Sequence, residues 1–391
     1  MIDWPLDDEY LVVVPAYKRP KSLKRLLDSL AEAQKCSFEF NILVSFDGGS
    51  SKEAVDLVLK YKNIIPNLDI KTHEKNLGLK RHILSIGDLT ATYENIIILE
   101  DDLYVDKYFF WYVVDSLKKF KKGKNICGIS LYSLHFNEYI NLPFSPDCSE
   151  QTAHYLMQIP CSWGQVFNRR HWAEFKEYLI SHQGEMLSYD LPDYVKKWSS
   201  ESWKKLYFDF MVRENKYFLY PCRSFATNTS EEGGHHNANG INFVQVPIFH
   251  EKYRCIESVD TSKLLKYDAY HELVPLEELR TTLGVDNVQF DIYGTKPEHI
   301  LLKTKYVVSA KFNKSAVKCY PLDFKPLILN FEFPSYEDVN GLYLIETKHY
   351  ISKNKGFFDI VLINKLASYF SYFNLNSKKH LFARILKIFD K

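Results

Sequence analysis

The sequence lacks the features that mark a membrane-spanning or exported chain. No run approaches the roughly 20 consecutive apolar residues that a transmembrane helix requires. The opening residues Met1-Ile2-Asp3-Trp4-Pro5 do not show the basic and then apolar order of a signal peptide. We therefore expect a cytoplasmic protein.

Cysteine pairs at the spacing of metal or redox motifs are also missing. The seven cysteines are scattered, and no two of them form a Cys-x-x-Cys pair. This excludes the common zinc and thiol-redox motifs. Because cytoplasmic thiols are kept reduced, we expect all seven to be reduced and mostly structural.

There is no excess of charge of either sign. The chain has 50 basic and 49 acidic residues and a formal net charge of +1. No overall field attracts the protein to nucleic acid, so no nucleic-acid partner is expected. A length of 391 residues with 46% hydrophobic residues is typical of a globular protein with more than one module.

In the first hundred residues, strand signals alternate with helix signals. Residues 11–14, 41–46 and 96–99 are short apolar runs, and a weaker strand signal, third in chain order, lies near residues 68–72. Residues 22–33, 54–61 and 79–89 carry apolar side chains at helical spacing. Short apolar strands separated by helices indicate a parallel sheet that is covered on both faces. We therefore predict an α/β fold with a Rossmann-like nucleotide-binding half.

Polar side chains follow several of these strands. Tyr17 and Arg19 come after the first strand, Asp47 after the second, and three acids after the fourth. Open α/β sheets bind their ligands at the carboxyl ends of the strands. The sequence therefore predicts a ligand site at this edge.

The strongest local signal is Glu100-Asp101-Asp102, directly after a buried strand. Adjacent carboxylates repel one another unless a cation lies between them. Hard oxygen ligands suit Mn²⁺ or Mg²⁺, which would bridge a diphosphate and stabilise its departure. The alternative is a solvated acidic turn, which we consider less consistent with the preceding strand.

The other residues at this edge have simpler alternatives. Asp47 would accept hydrogen bonds from a nucleotide, but Asp also opens Asp-Gly-Gly turns unaided. Arg19 would hold a phosphate or a uracil edge with its planar guanidinium, or it is a surface arginine. Arg81 and His82 on the third helix would face the nucleotide, although a lone His on a helix is usually structural.

Three motifs together resemble the nucleotide-binding half of GT-A glycosyltransferases. They are Val14-Pro15-Ala16-Tyr17-Lys18-Arg19, Ser45-Phe46-Asp47-Gly48-Gly49, and Asn76-Leu77-Gly78 followed by Leu99-Glu100-Asp101-Asp102. The Glu-Asp-Asp form with the aromatic start at Tyr108-Phe109-Phe110 is most similar to the N-acetylglucosaminyltransferase I family. The resemblance covers roughly the first 240 residues and implies a mixed GT-A sheet flanked by helices.

The resemblance implies roles for individual residues. Asp102 would bind the metal, with Glu100 beside it, and Asp101 would contact the ribose. The nucleotide-binding residues would be Pro15, Ala16, Tyr17, Arg19, Asp47, Arg81, His82 and Asp101. Trp163 and Gly164 would line the sugar, with a core role as the alternative for Trp163. His235 or His236, in a glycine-flanked loop, would touch the diphosphate or complete the metal shell.

Asp209, in Tyr207-Phe208-Asp209-Phe210-Met211, matches the family's catalytic aspartate, although Phe208 replaces an acid of the family pattern. Its aromatic neighbours would partly desolvate the carboxylate, which helps a base work near neutral pH. The alternative is an Asp on the helix surface. Other candidate bases are Glu201, Glu214, Glu231 and Glu232.

We expect a GT-A domain over residues 1–250, with a nucleotide-binding half (1–105) and an acceptor and catalytic half (106–250). Residues 251–391 would form an additional α/β or β-rich module of unknown role. Its tail, residues 378–391, places apolar side chains among Lys and Arg and predicts a basic amphipathic helix. Such a helix would dock on protein or make peripheral contact with the inner membrane face.

The sequence thus predicts an inverting, metal-dependent glycosyltransferase. It would move a sugar from a UDP-sugar, with UDP-GlcNAc one candidate, to a glycan or lipid-linked glycan hydroxyl in bacterial surface polysaccharide synthesis. One alternative is a non-catalytic binding module on the same fold. The other is a nucleotidyltransferase, but residues 15–19 lack the glycine-rich phosphate loop of that class.

Overall fold

The computed structural model describes residues 10–37, 40–120, 122–148, 153–229, 244–254, 261–335, 341–353, 366 and 369. No helix within these ranges is long and apolar enough to cross a membrane. His235, His236, Glu231, Glu232 and the tail at 378–391 lie outside the described residues.

The described strands belong to one large sheet and three smaller ones. Their bounds are β1 (Tyr10–Ala16), β2 (Asn41–Phe46), β3 (Leu68–Thr72), β4 (Asn95–Ile98), β5 (Leu103–Val105), β6 (Ile126–Ser130), β7 (Phe136–Asn137), β8 (Leu142–Pro143), β9 (His154–Met157), β10 (Gln165–Asn168), β11 (Tyr217–Pro221), β12 (Ala226–Asn228), β13 (Lys266–Tyr267), β14 (Leu273–Val274), β15 (Val288–Phe290), β16 (Tyr306–Ser309), β17 (Ala316–Tyr320) and β18 (Leu342–Glu346).

Helices connect many of these strands. Their bounds are α1 (Pro20–Cys36), α2 (Lys52–Tyr61), α3 (Gly78–Gly87), α4 (Phe109–Phe120), α5 (Arg169–Ser181), α6 (Asp193–Lys196), α7 (Trp203–Arg213), α8 (Glu277–Leu283), α9 (Glu298–Leu301) and α10 (Thr347–Lys353). Short 3-10 segments lie at Asp88–Ala91, Thr261–Lys263 and Leu327–Glu332.

The large sheet has ten strands in the order β14-β13-β9-β11-β6-β10-β4-β1-β2-β3. The strands β4, β1, β2 and β3 are mutually parallel, as the apolar runs predicted. All residues of β1 and β4 are buried, because helices cover both faces of a parallel sheet. The carboxyl ends of these strands therefore meet at one edge.

Strand β10 makes the sheet mixed, because it runs antiparallel to both β4 and β6. Strand β11 is in turn parallel to β6. It follows that β11, β6 and β4 all point in the same direction. Helix α7 precedes β11 after a short turn, so α7 runs the opposite way and begins at the carboxyl edge of the sheet.

The chain divides into two compact units. The first contains residues 1–133 and 148–274, and the second contains residues 134–147 and 275–391. The predicted boundary at residue 250 falls inside the first unit, because β13 pairs with β9 of the large sheet.

The second unit contains the four-stranded sheet β15-β16-β18-β17 with helices α8 to α10. Its core includes Val307, Ile345 and Tyr350. In this unit both carboxylate oxygens of Asp147 accept backbone N–H groups, from Leu327 at 2.8 Å and Ile328 at 3.3 Å. The additional module is therefore of the α/β kind, one of the two forms expected.

Two cysteines form a disulfide, which corrects the expectation that every thiol is reduced. Cys148 and Cys222 are 74 residues apart in sequence, but their Cα atoms are 5.9 Å apart, which suits a disulfide. Sequence spacing could not reveal the pair because the fold brings it together at the end of β11. Cys36, Cys127 and Cys161 are not in disulfides.

Candidate active site

The acid triplet lies at the carboxyl edge of the large sheet, in the turn between β4 and β5. The Leu103 N–H donates to the carbonyl of Glu100 at 3.1 Å and closes this turn. The carbonyl of Asp102 accepts two bonds from Thr229, from its N–H and its Oγ1, each at 2.8 Å. The main chain of the triplet is therefore held on both sides.

The triplet is crowded with negative charge. Burial raises the pKa of Glu100 to about 8, the charge of Asp102 adds to the rise, and the charges of Arg19 and Lys204 oppose it. Burial also raises the pKa of Asp101 to about 6, against the charge of Arg19. Such shifts indicate a site that favours an added cation.

Arg19, directly after β1, bridges two of the acids. Its guanidinium contacts Asp101 Oδ1 through Nη2 and donates to Asp102 Oδ2 through Nη1 at 2.8 Å. The Arg19 side chain is still 39% exposed, so it remains open to a ligand at the edge. The structure thus brings Arg19, Asp101 and Asp102 together, and their roles in binding a ligand stay a prediction.

The carboxylates partly fit a divalent cation. Asp102 Oδ1 is buried and has no hydrogen-bond partner among the described residues, so it can accept a cation. No group of three or more His, Cys, Asp and Glu side chains in the described ranges is arranged as a metal site. Mg²⁺ commonly takes one or two carboxylates and completes its shell with substrate phosphates. Asp102 and its neighbours match that pattern.

Asp47 holds the start of α3. One carboxylate oxygen accepts the N–H groups of Gly48 at 2.8 Å and Leu77 at 2.7 Å, and the other accepts the N–H of Gly78 at 3.1 Å. Asp47 is 6% exposed. Its contacts therefore position the loop that faces the predicted nucleotide site, and a nucleotide contact stays a prediction.

The loop before α3 packs closely on Gly48. A Cβ atom on Gly48 would lie 2.2 Å from the carbonyl carbon of Lys75, so only glycine fits there. Asn76 Nδ2 then donates to the hydroxyl of Tyr17 at 3.2 Å. The motifs after β1, β2 and β3 thus form one surface at the sheet edge.

His82 lies beneath this surface rather than on it. The residue is 3% exposed, and its Nε2 is 2.8 Å from Ser45 Oγ. Burial lowers the pKa of His82 to about 4, so the ring is neutral at pH 7. Arg81, one residue earlier, is exposed. The contact between His82 and Ser45 therefore joins α3 to β2 beneath the surface.

Trp163 and Gly164 precede β10, the strand next to β4. Trp163 is 4% exposed and packs edge-on against Tyr132, with 4.8 Å between ring centroids. Gly164 has φ +90°, which favours glycine, and its carbonyl accepts the N–H of Leu131 at 2.9 Å. Both contacts suit a core role as well as the predicted wall of a sugar site.

Asp209 is bonded on both carboxylate oxygens. Oδ2 accepts the hydroxyl of Tyr178 at 2.8 Å, and Oδ1 accepts the N–H of Ser188 at 2.7 Å. Arg213 Nε lies 3.5 Å from Oδ2, and Asp209 is 5% exposed. These contacts tie α7 to α5 and the loop before α6, and none of them involves the acid triplet.

The beginning of α7 contributes a residue that sequence reasoning missed. Lys204 Nζ lies 5.5 Å from the ring centroid of Trp163 and 5.4 Å from that of Trp198. Its charge also acts on Glu100. The only sequence signal was its place at the start of a helix, where Lys204-Lys205 reads as an ordinary solvated pair.

Comparisons with known proteins agree with this geometry in the first unit. Residues 11–172 match the family model described as Glycosyl transferase family 2. This range runs from β1 through the acid triplet to the first turn of α5. None of the curated proteins matches the chain.

Similar solved structures include S. aureus TarS 1–349 in complex with UDP-GlcNAc and the mannosyltransferase PcManGT from Pyrobaculum calidifontis in complex with GDP-Man and Mn²⁺. For TarS the identity is 18%, the TM-score is 0.39, and the match covers 58% of this chain and 60% of TarS. For PcManGT the identity is 13%, the TM-score is 0.38, and the match covers 60% of this chain and 63% of the other. The chain therefore matches less than two thirds of either protein.

The family match at residues 11–172 includes the parallel half of the sheet and the acid triplet at its carboxyl edge. Residues 11–172 match the model of Glycosyl transferase family 2, and the large mixed sheet flanked by helices is a GT-A fold.

Proposed function

We propose that the protein is an inverting, divalent-cation-dependent glycosyltransferase that uses a UDP-sugar. The observation that carries the proposal is the group of Arg19, Asp101 and Asp102 at the carboxyl edge, where Asp102 keeps a buried oxygen without a donor. A nucleotide diphosphate together with a cation would supply the missing partners. The donor sugar, with N-acetylglucosamine as first candidate, rests on the sequence resemblance.

The nucleotide would lie over β1, β2 and β3. Tyr17 is 37% exposed at this surface, and the loop of Asn76 and Gly78 is fixed beside it by Asp47. The ribose would approach Asp101, and the diphosphate would lie over Asp102. The sugar would then extend towards β10, where Trp163 and Gly164 lie.

Mn²⁺ or Mg²⁺ would be held by Asp102, with Glu100 and Asp101 as neighbouring acids. When bound, such a cation offsets the charge that develops on the departing diphosphate. Arg19 holds the two aspartates in place for this purpose. In the transfer, the bond between the anomeric carbon and the β-phosphate oxygen breaks and its electrons stay on UDP. The acceptor oxygen bonds to the anomeric carbon and gives its proton to a carboxylate.

The candidate base must lie at the same edge as the acids. Asp209 is five residues along α7 from Lys204, about 8 Å further from the edge at the helical rise, and its oxygens are already bonded. Glu214 follows α7 at the far end. Glu201 is exposed, precedes the cap of α7, and its side chain makes no bond within the described residues. Glu201 is therefore the better candidate for the base.

The segment of Glu201 lies beside the nucleotide surface. Lys80, in the first turn of α3, donates to the carbonyl of Ser200 at 2.8 Å. Since α3 begins on the carboxyl edge, Glu201 is near that edge as well. Asp209 remains the candidate of the sequence resemblance, and the two carboxylates can be tested against each other.

Calorimetry of UDP binding with and without Mn²⁺ tests the proposal. We expect binding that requires the cation in the wild type and is lost in Asp102→Ala, but is kept in the control Asp193→Ala. Asp193 is a matched choice because its side chain is 74% exposed on α6. A wild type that binds no nucleoside diphosphate with any cation would refute the donor site and favour the non-catalytic alternative.

A further inference from the structure

Lys204 is a half-buried cation held between aromatic rings. Its ammonium group lies about equally far from the indoles of Trp163 and Trp198, at 5.5 and 5.4 Å. Within the described part of the chain it forms no hydrogen bond and no ion pair. Aromatic faces attract an ammonium group but leave its N–H donors without acceptors. The side chain is thus positioned, and it can still take an anionic ligand.

Lys204 lies on the opposite side of the acid triplet from Arg19. In the sheet, β4 lies between β1 and β10. Arg19 lies three residues after the end of β1, whereas Lys204 lies over Trp163, which lies two residues before the start of β10. The acids are therefore flanked by two cations, one on the nucleotide side and one on the sugar side.

The balance of charge at this edge favours a second basic side chain, in addition to Arg19, beside an incoming diphosphate. When all three carboxylates of the triplet are ionised, Arg19 and one divalent cation only offset their charge, which leaves no positive excess for an incoming diphosphate. A phosphate oxygen accepts charge-assisted hydrogen bonds, which are stronger than an ammonium–indole contact. The β-phosphate is the part of the donor that lies between the nucleotide side and the sugar side of the triplet.

We propose that Lys204 binds the β-phosphate of the nucleotide donor, from the side of the acid triplet opposite Arg19. The inference rests on the proposed function, because it requires a nucleoside diphosphate at this edge. It adds a residue that the family match at 11–172 does not cover. The proposed contact is non-covalent.

The test compares UDP with UMP, which lacks the β-phosphate, by calorimetry in the presence of Mn²⁺. In Lys204→Gln we expect UDP affinity to fall about 10- to 100-fold, while UMP affinity changes less than about twofold. Lys204→Arg should restore most of the preference for UDP. A structural effect on the site would weaken both nucleotides together.

Lys205→Gln is the matched control. Lys205 is the next residue of α7, and its Nζ donates to the carbonyls of Lys196 at 2.8 Å and Trp198 at 2.6 Å. Its loss should lower the melting temperature and leave the ratio of UMP to UDP affinity unchanged.

Two outcomes would overturn the inference. If the wild type prefers UDP and Lys204→Gln keeps that preference, Lys204 does not bind the β-phosphate. The same holds if the variant binds UDP normally and loses only transfer to phosphate-bearing acceptors, because the phosphate would then be the acceptor's. If the wild type binds no nucleoside diphosphate, the proposed function itself fails.

Discussion

Two regions of the first unit carry buried carboxylates in opposite surroundings. In the acid triplet, burial and neighbouring negative charge raise the pKa of Glu100, and Asp102 has an oxygen without a donor. In the middle of α7, Asp209 accepts a hydroxyl and a backbone N–H and lies near Arg213. In the triplet, Arg19 contacts Asp101 and Asp102 but one buried oxygen of Asp102 has no donor, whereas both oxygens of Asp209 accept one.

This difference distinguishes carboxylates that can bind a ligand from a carboxylate that stabilises the fold. A buried carboxylate whose oxygens accept donors is already stabilised, and using it as a base would first require those bonds to break. Carboxylates that repel one another at a strand end remain unfavourable until a cation arrives. We therefore propose that the donor site lies at the triplet and that Asp209 joins α7 to its neighbours.

Asp102→Asn should produce the largest effect. The variant keeps the size of the side chain but loses the charge that would hold the cation, so we expect Mn²⁺-dependent UDP binding to weaken about 1000-fold. Calorimetry measures the loss, and Asp193→Asn on the exposed face of α6 is the control. Unchanged metal-dependent binding would show that the triplet is only an acidic turn.

Glu201→Gln tests which carboxylate accepts the proton of the acceptor hydroxyl. If Glu201 is the base, kcat for transfer should fall about 100-fold or more, because a positioned base contributes that much to proton transfer. KM for the UDP-sugar should hardly change, since Glu201 would contact the acceptor. Steady-state kinetics with Glu214→Gln as control decide the matter. A kcat within a few fold of the wild type would return the role to another carboxylate.

His82 provides a third case, a buried group that is stable only when neutral. Its pKa in the folded state is about 4, below the ordinary 6.5, so the unfolded chain binds more protons between these values. The contribution of neutral His82 to the free energy of unfolding is therefore complete above about pH 6.5 and is lost as the pH falls towards 4.

Between pH 8 and pH 5, we expect the protonation of His82 to lower the free energy of unfolding of the wild type by about 2 kcal/mol. His82→Gln should remove that part of the pH dependence while keeping a partner for Ser45. Urea unfolding at both pH values measures it. Equal pH dependence in the two proteins would mean that His82 is not a buried neutral group.

The first half of the sheet could be predicted because its signals are local. Residues 41–46 match β2, the run at 96–99 is shifted by one residue from β4, and the run at 11–14 lies inside β1. The second half could not, because β9, β10 and β13 are only two to four residues long. Such strands are specified by distant partners rather than by a periodic pattern.

The site was predictable to the same extent. Arg19 and the triplet follow strand ends, so topology alone places them together. The partners of Asp209 lie 31 and 21 residues away in sequence, and those of Lys204 depend on how α7 packs against Trp163. Nor did the spacing of Cys148 and Cys222 reveal their disulfide. Contacts made across the fold leave no mark in local sequence.

Asp209→Asn should have the smallest effect on catalysis. Asparagine keeps one oxygen, which can accept the Ser188 N–H, but its NH2 group cannot accept the Tyr178 hydroxyl, which must turn to accept instead. We expect the free energy of unfolding to fall by about 1–2 kcal/mol and kcat to stay within a few fold. Tyr178→Phe is the matched variant, since it removes the donor to Oδ2, and it should destabilise similarly without affecting transfer. A loss of kcat in Asp209→Asn with normal stability would instead restore Asp209 as the base, because only a group that contacts the acceptor would change the rate and leave the fold untouched.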